Sequence, residues 1–257
     1  MTEPPHRITL LTDFGTADGY VAAMRGVIAA RAPGVPVDDA SHDIAHGDVV
    51  SGAAALARYC DIYPAGTVHV VVIDPGVGSA RRAIAVLAQG RFGIGPDNGV
   101  LEPLLARADT VHEVNDEALF RHPVSATFHG RDIFAPVAAY LAAGGLIEAV
   151  GPRIGDAIRL EWPAPERDGD RITGEVVHVD RFGNLITNIS GNEIADAAEV
   201  VIAERRIGNV RRAYADAEPG QLLALIGSSG VIEIAVRQGS ASAVLGLGRG
   251  AVVEVVG

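Results

Sequence analysis

The sequence has few of the features that are typical of secreted or membrane proteins. It contains a single cysteine, Cys60, so no disulfide can form within one chain, and we expect a reducing compartment and a buried thiol. No apolar run approaches the roughly 18 residues that a membrane-spanning helix needs. Met1 to Arg7 also lack the basic region and long apolar stretch of a secretory leader. These absences predict a cytoplasmic protein that does not act on a membrane.

Positive charge is scarce as well. The chain has 21 Lys and Arg against 32 Asp and Glu, a formal net charge of −11, and no basic block. Because phosphate backbones are bound by clustered lysine and arginine, nucleic acid is not an expected partner. Hydrophobic residues make up 48% of the sequence, which is enough for a sizeable core without metal or disulfide crosslinks.

The first part of the chain alternates predicted strands and helices. Apolar runs at residues 8–12, 67–73 and 92–95 are typical of strands, and the segments 18–32 and 48–63 have helical capping and stop signals. Such alternation with short connections predicts an α/β domain over residues 1–155, with a mainly parallel sheet covered on both faces.

The second part of the chain has a different pattern. Residues 156–170 are rich in Pro, Gly and charged residues and are predicted to be a linker. Residues 171–257 contain short β-branched runs separated by turn residues, which predict a smaller, antiparallel, barrel-like β domain.

Several polar residues stand where predicted strands or apolar runs end. Asp13, Asp74, Asp97 and His129 all occupy such positions, and Asp74 directly follows the strongest β-branched run. Ligands of open α/β sheets bind at the carboxyl ends of the strands, so these groups can converge on one site. The alternative for each aspartate is a turn or a helix cap, above all for Asp97, which precedes an Asn-Gly pair.

A loop rich in glycine connects Asp74 to Arg81. An arginine folded back onto Asp74 would hold the carboxylate ionised and oriented, although it would also weaken that carboxylate as a proton acceptor. His129 has an ordinary pKa near neutrality and is therefore the more suitable acceptor. The alternative is that Arg81 and Arg82 are a solvated pair.

A metal site is a further alternative. Asp13, His42, Asp74 and His129 carry suitable ligand atoms, and His42 and His46 are four residues apart. Both of these histidines fall in a predicted turn rather than on a helix face, which favours solvated loop histidines.

Two segments of the second part interrupt strands with polar groups and an aromatic residue, residues 180–184 and 226–230. They can be ordinary turns. As a site they offer an aromatic face for a base, amides for its edge and hydroxyls for a polar tail, which suits adenosine.

Five motifs, in order along nearly the whole chain, resemble those of the S-adenosyl-L-methionine (SAM) hydroxide adenosyltransferase family, also called SAM hydrolases and related to SAM-dependent fluorinases and chlorinases. The motifs are Thr12-Asp13-Phe14-Gly15, Ile73-Asp74-Pro75-Gly76-Val77-Gly78, Gly95-Pro96-Asp97-Asn98-Gly99, Thr127-Phe128-His129-Gly130-Arg131-Asp132 and Asp180-Arg181-Phe182-Gly183-Asn184. The resemblance implies a homotrimer whose sites lie between one subunit's N-terminal domain and the next subunit's C-terminal domain.

The resemblance also implies residue roles, with SAM as substrate and neither a metal nor a cofactor. Its catalytic set falls on Asp74, Arg81 and His129. The implied substrate-binding residues are Asp13 for the ribose hydroxyls, Phe182 and Asn184 for the adenosine, and Asp180, Ser228 and Glu233 for the amino-acid end of methionine.

The implied reaction is the displacement of methionine from C5' of SAM by water, giving adenosine and L-methionine. Related halogenases have an aromatic residue and a hydroxyl in the central loop, where this sequence has Asp74 and Val77, and this difference favours water over halide. Some halogenases also have an arginine at the position of Ser229. The sequence therefore leaves open which residue binds the methionine carboxylate. A SAM-dependent halogenase and a non-catalytic SAM- or adenosine-binding protein are the alternatives.

Overall fold

A computed structural model describes residues 7–195 and 198–257 of the chain. Residues 1–6, on which the expectation about a leader partly depends, lie outside the described residues. The chain divides into two compact units, unit 1 at Met1–Leu160 and unit 2 at Glu161–Gly257. No helix in the described ranges is long and apolar enough to cross a bilayer.

Unit 1 is built on a mainly parallel sheet. Its strands are β1 (Ile8–Thr12), β2 (Val37–Ser41), β3 (Val68–Val72), β4 (Ala83–Ala88), β5 (Arg91–Pro96) and β6 (Thr110–Glu113), and its helices are α1 (Tyr20–Arg31), α2 (Val49–Tyr59), α3 (Glu102–Leu105) and α4 (Ala135–Ala142). The strand order is β2-β1-β3-β5-β4-β6. β1 is parallel to β2 and β3, and β3 is parallel to β5, whereas β4 is antiparallel to both of its neighbours. The predicted α/β fold is confirmed.

Strand β3 shows why the run before Asp74 is almost entirely apolar, with His69 as its buried polar residue. Val68, Val70 and Val72 face the core that contains residues of α1 and α4, whereas Val71 and Ile73 face the core that contains residues of α2 and α3. A strand buried on both faces favours apolar residues at successive positions rather than at alternate ones, and the polar His69 lies 2.9 Å from the Thr9 hydroxyl through its Nδ1. The carboxyl end of this strand is therefore packed against the core on both faces.

Two helix starts in unit 1 bear on the site. Asp48 caps α2 as predicted, with its side chain accepting a hydrogen bond of 3.1 Å from the Ser51 amide, although α2 ends at Tyr59 rather than near residue 63. The helix predicted from Asp132 begins as a π-helical turn, Gly130–Phe134, that continues directly into α4. His129 immediately precedes this wide turn. π-Turns are frequent at functional sites because they change the direction of neighbouring side chains.

Unit 2 is a closed β-barrel. Its strands are β7 (Glu166–Asp168), β8 (Arg171–Val179), β9 (Leu185–Ser190), β10 (Glu199–Ile202), β11 (Arg205–Arg211), β12 (Leu222–Ile226), β13 (Val231–Val236) and β14 (Val252–Val256), with a short helix α5 (Ala241–Leu245). The order β14-β10-β11-β12-β13-β9-β8 closes through pairing of β14 with β8, and β7 extends β8 at its outer edge. The predicted antiparallel barrel is confirmed, with one parallel pair between β11 and β12.

The sequence pattern missed β7, β9 and β11, and β7 lies within residues 156–170, which were predicted to be a linker. β9 carries Thr187 and Asn188 in mid-strand, and its pairing with both neighbours is interrupted by register shifts. β11 is exposed along much of its length and begins with Arg205 and Arg206, so it lacks the apolar alternation that marks a half-buried strand.

Candidate active site

A cavity of about 540 Å³ opens at the carboxyl ends of β1 and β3 in unit 1. Its lining includes Asp13, Asp74, Val77 and His129. The expectation that strand-end polar groups would meet at one edge of the sheet holds for three of the four residues named. The fourth, Asp97, is buried and is engaged elsewhere.

Asp74 is held by Arg81 through a two-pronged ion pair. Arg81 Nε donates to Asp74 Oδ1 at 2.9 Å and to Oδ2 at 3.1 Å, and Arg81 Nη2 also donates to Oδ2. The side chains of Asp74 and Arg81 are 4% and 10% exposed. Arg81 lies behind the carboxylate, with its guanidinium 5.4 Å from the centre of the Phe134 ring. Such bidentate bonding fixes the plane of the carboxylate as well as its charge.

The same guanidinium reaches His129. Arg81 Nη2 lies 2.8 Å from His129 Nδ1. Because a guanidinium can only donate hydrogen bonds, Nδ1 must be the acceptor, and the ring is then neutral with its proton on Nε2. Burial and the positive charge of Arg81 both lower the pKa of His129, which agrees with a neutral ring. Arg81 therefore orients the two groups on either side of it.

The loops that carry Asp74 and His129 are in direct contact. Gly78 has a φ of +77°, and a Cβ added there would lie 2.5 Å from the carbonyl oxygen of Ala126. A side chain at this position would force the two loops apart. Val77, which precedes this glycine, lines the cavity and presents methyl groups rather than a hydroxyl.

Asp13 forms another wall of the cavity. Its Oδ2 accepts a 2.8 Å hydrogen bond from the Gly47 amide and lies 3.3 Å from Nδ1 of the exposed His46. His42 is buried, and its Nδ1 is 2.8 Å from the Thr12 hydroxyl. Within residues 7–195 and 198–257, no group of three or more His, Cys, Asp or Glu side chains is arranged to hold a metal ion.

An aromatic wall completes the cavity. Phe14, Tyr20 and Phe128 make edge-to-face contacts with one another, with ring centroids 5.2 to 6.1 Å apart. None of these three residues was predicted from the sequence to have a role, although Phe14 and Phe128 lie within two of the five family motifs. The wall offers an apolar surface to a ring or a thioether chain.

Within unit 2, the sequence-predicted residues Asp180 and Asn184 lie close together in one loop. Asp180 uses both carboxylate oxygens within its own loop: Oδ1 accepts from the amides of Phe182 and Asn184 at 2.9 Å each, and Oδ2 accepts from Asn184 Nδ2 at 3.1 Å. This Asx-type turn holds Phe182 on the surface, where it is 76% exposed. Asn184 is buried beneath it.

Tyr214 connects this loop to Glu233 and was not identified from the sequence. Its hydroxyl lies 3.5 Å from Asn184 Nδ2 and donates to Glu233 Oε1. Burial and the neighbouring Glu233 carboxylate raise the pKa of Tyr214, so it remains a donor. Ser228 lies on the exposed turn between β12 and β13, and this turn begins at Gly227, where an added Cβ would lie 2.6 Å from Glu233 Oε2.

The protein is of a two-domain class: a mixed α/β unit with an aspartate–arginine–histidine group at its cavity is followed by a β-barrel. Comparison with protein families identifies the same two domains. Residues 8–151 match the family model described as the SAM hydroxide adenosyltransferase N-terminal domain, and residues 174–254 match that of the C-terminal domain. The chain belongs to this family.

Individual proteins of known sequence or structure are also similar to this chain. The chain is 42% identical over 243 residues to an (R)-S-adenosyl-L-methionine hydrolase of Salinispora arenicola, with 93% of each chain covered. A solved structure of an uncharacterized conserved protein from Thermotoga maritima superposes with a TM-score of 0.91 at 34% identity, covering 97% of this chain and 100% of that one. A fluorinase of Actinoplanes sp. is more distant, at 28% identity over 219 residues and 74% of each chain.

Proposed function

We propose that the protein is a SAM hydrolase, which uses water to displace methionine from C5' of SAM and forms adenosine and L-methionine. The observation that carries the proposal is the group of Asp74, Arg81 and His129 at the cavity, in a chain of this family. The (R)-SAM hydrolase of Salinispora arenicola, 42% identical, supports it.

The chemistry of a sulfonium matches the groups that are present. The sulfur of SAM leaves as a neutral thioether, so the leaving group needs no general acid. The reaction needs a nucleophile held in line behind the C5'–S bond and partly stripped of water. Positioning of this kind can lower the barrier by about 7 to 11 kcal/mol, and a placed base can add about 10²- to 10⁴-fold.

In the proposed mechanism one water binds between Asp74 and His129. The Nε2–H of His129 donates to the water oxygen, and the water donates one of its protons to Asp74. As the oxygen forms its bond to C5', the C5'–S bond breaks and its electron pair goes to sulfur. The water proton passes to Asp74 and then to solvent. This assigns proton acceptance to Asp74 and orientation to His129, because His129 Nδ1 is occupied by Arg81.

The remaining predicted residues would hold the substrate. Asp13, fixed by the Gly47 amide, suits the ribose hydroxyls because a carboxylate can accept from both of them. In unit 2, the exposed ring of Phe182 suits stacking on the adenine, with Asn184 beside it. Asp180, Ser228 and Glu233 are assigned to the amino-acid end of methionine by the family resemblance.

We propose a homotrimer in which each site combines unit 1 of one subunit with unit 2 of the next, as the resemblance implies. Light scattering would measure the trimer mass. Co-expression of two inactive chains, Asp74→Asn and Phe182→Ala, tests the shared site: mixed trimers regain activity, whereas sites built within one chain would give none. The cytoplasmic location and the independence from metals and cofactors likewise remain predictions.

A chromatographic assay of SAM turnover, with and without chloride, tests the function. We expect equal amounts of adenosine and methionine at a rate that chloride and EDTA leave unchanged. Formation of 5'-chloro-5'-deoxyadenosine would identify a halogenase, which the Asp74 carboxylate disfavours because it repels an anion. Binding of SAM without any product would identify a binding protein instead.

A further inference from the structure

Asp132 is a completely buried carboxylate next to the active site that the proposed mechanism does not use. Its side chain is 0% exposed. Arg131 donates to it through Nε and Nη2 at 2.7 Å each, Arg121 through Nη1 at 3.0 Å, and the Ser125 amide at 3.0 Å. Burial by itself would raise the pKa of Asp132, but these donors outweigh it and lower the pKa, so the group is ionised.

The main chain of Asp132 also forms hydrogen bonds with residues of the segment 121–132. Its carbonyl oxygen accepts from the Arg121 amide at 2.8 Å, and its amide donates to the Phe128 carbonyl at 3.2 Å. Asp132 therefore contacts residues at the beginning, the middle and the end of the segment 121–132. We call this segment the rim segment, because Ser125, Thr127 and His129 within it line the cavity.

The side chain of Arg131 connects Asp132 to Phe128, the residue before His129. Bound on one side by Asp132, its guanidinium lies 5.0 Å from the centre of the Phe128 ring. Phe128 directly precedes His129 and forms part of the aromatic wall. A buried carboxylate with several donors is costly to replace, because the donors are left unpaired once the charge is lost.

We propose that Asp132 is a positioning residue of the active site, which holds the rim segment so that His129 keeps its Nδ1 on Arg81. Asp132 does not touch the reacting atoms and acts through His129. The orientation of His129 is a property of the free protein. Only the effect on the rate depends on the proposed hydrolase function.

Glu102 in the same unit supplies a matched control. It too is buried, and it accepts from Arg159 Nε at 2.7 Å, from Arg159 Nη2 at 2.5 Å and from the Leu160 amide at 3.2 Å. It bonds to the same kinds of donor, but it belongs to α3, and within residues 7–195 and 198–257 it is not among the residues that line the cavity. Glu102→Gln therefore reproduces the loss of a buried, arginine-bound carboxylate away from His129.

The test compares Asp132→Asn, Glu102→Gln and the wild-type chain, each labelled with ¹⁵N in the histidine rings. In the wild type and in Glu102→Gln we expect the His129 signals of one neutral tautomer, with the proton on Nε2. In Asp132→Asn we expect a mixture of tautomers, because the ring is no longer held on Arg81. The charged groups that act on His129 are Arg81, which lowers its pKa together with burial, and Asp74 and Asp132, which raise it. Because Asp132→Asn removes one of these charges, spectra are recorded at a pH well above the lowered pKa, where the ring is neutral in every variant.

Activity gives the second readout. A displacement of about 1 Å can cost about 100-fold in rate, so we expect kcat of Asp132→Asn to fall by about that factor, while kcat of Glu102→Gln changes less than about 2-fold. If Asp132→Asn does not fold, Arg121→Gln removes one donor from the exposed side and should shift the tautomer signal in the same direction, by less.

Wild-type tautomer signals in a folded Asp132→Asn protein would overturn the proposal, whether or not its rate falls. Equal tautomer changes in both variants would overturn it too, because the effect would then be general loosening of unit 1. If the tautomer changes as expected but the wild type does not hydrolyse SAM, the positioning role stands and the hydrolase function fails.

Discussion

Two neighbouring arginines, Arg81 and Arg82, each bind an aspartate at the end of a strand, and only one of these pairs lies at the cavity. Arg81 binds Asp74, and Arg82 donates from Nε to Asp97 Oδ2 at 2.9 Å. The chemical groups are the same, and both carboxylates are almost completely buried. The difference is in what surrounds each pair.

The Asp97 pair is closed by other protein groups. Asp97 Oδ1 accepts from the Ile158 amide at 2.7 Å, and Arg82 Nη1 also donates to Asp156 at 2.8 Å. The Asp74 pair instead has His129 on the far side of its arginine and a cavity beside its carboxylate. An ion pair completed by main-chain donors holds a segment of chain in place, whereas one that adjoins a cavity and a histidine can act on a bound molecule.

The largest expected difference is between Asp74→Asn and Asp97→Asn. Loss of the proton acceptor in Asp74→Asn should lower kcat of the folded protein by about 10²- to 10⁴-fold, and it should also cost stability because the buried Arg81 loses its charged partner. Asp97→Asn should cost about 3 kcal/mol of stability, as breaking a buried pair does, while the folded fraction keeps kcat. Initial rates and urea unfolding measure both quantities. A similar loss of kcat in the two variants would remove the distinction between the pairs.

A smaller effect is expected for lysine at each arginine. Arg81→Lys keeps the charge but loses the planar fork that bonds Asp74 and His129 together, so kcat should fall by about 100-fold. Arg82→Lys should lower the melting temperature and leave kcat of the folded protein unchanged. A fully active Arg81→Lys enzyme would show that charge alone is sufficient and that orientation of His129 is unimportant.

The pH dependence of the rate should depend on the Asp74–Arg81 pair, which contacts His129, and not on the Asp97–Arg82 pair. The pKa of His129 is lowered by burial and by Arg81, so the ring stays neutral as the pH falls through its ordinary value and is protonated only below it. A protonated Nδ1 cannot accept from Arg81, so kcat/KM should fall several-fold on an acid limb with its midpoint below about 6.5. Asp97→Asn should show the same limb. A rate that rises on acidification would mean that His129 must be charged.

The smallest effect is expected at Val77. Val77→Thr supplies the hydroxyl that the central loop of related halogenases carries, but Asp74 still repels an anion. We expect hydrolysis within about 3-fold of the wild type, since an exposed substitution of similar volume perturbs little, and no chlorinated product in the presence of chloride. Formation of that product would show that the hydroxyl rather than Asp74 decides between water and halide.

The sequence predicts the first unit well because its signals are local. The β-branched run before Asp74, the Asp48 cap and the alternation of elements each depend on neighbouring residues, and each is confirmed. Strand β11 was missed because its arginines face solvent, and no local pattern marks such a strand.

The sequence predicted which polar residues lie at the strand ends. It did not predict which of them pair with one another. The sequence does not say that Arg81 pairs with Asp74 while Arg82 pairs with Asp97, because that choice depends on the packing of residues 156–158 against β5 and its turn. The sequence left open whether Asp74 or His129 accepts the proton, although His129 has the more suitable ordinary pKa. The contact between Arg81 and Nδ1, which favours Asp74 instead, depends on the folded loops.

In the proposed mechanism, a water molecule oriented between Asp74 and His129 attacks C5' of SAM. Incubation of the protein with SAM in ¹⁸O-labelled water, followed by mass spectrometry of the adenosine, tests this directly. We predict one ¹⁸O atom at the 5'-oxygen of each adenosine and none in methionine. Unlabelled adenosine, or methylthioadenosine in its place, would contradict the mechanism.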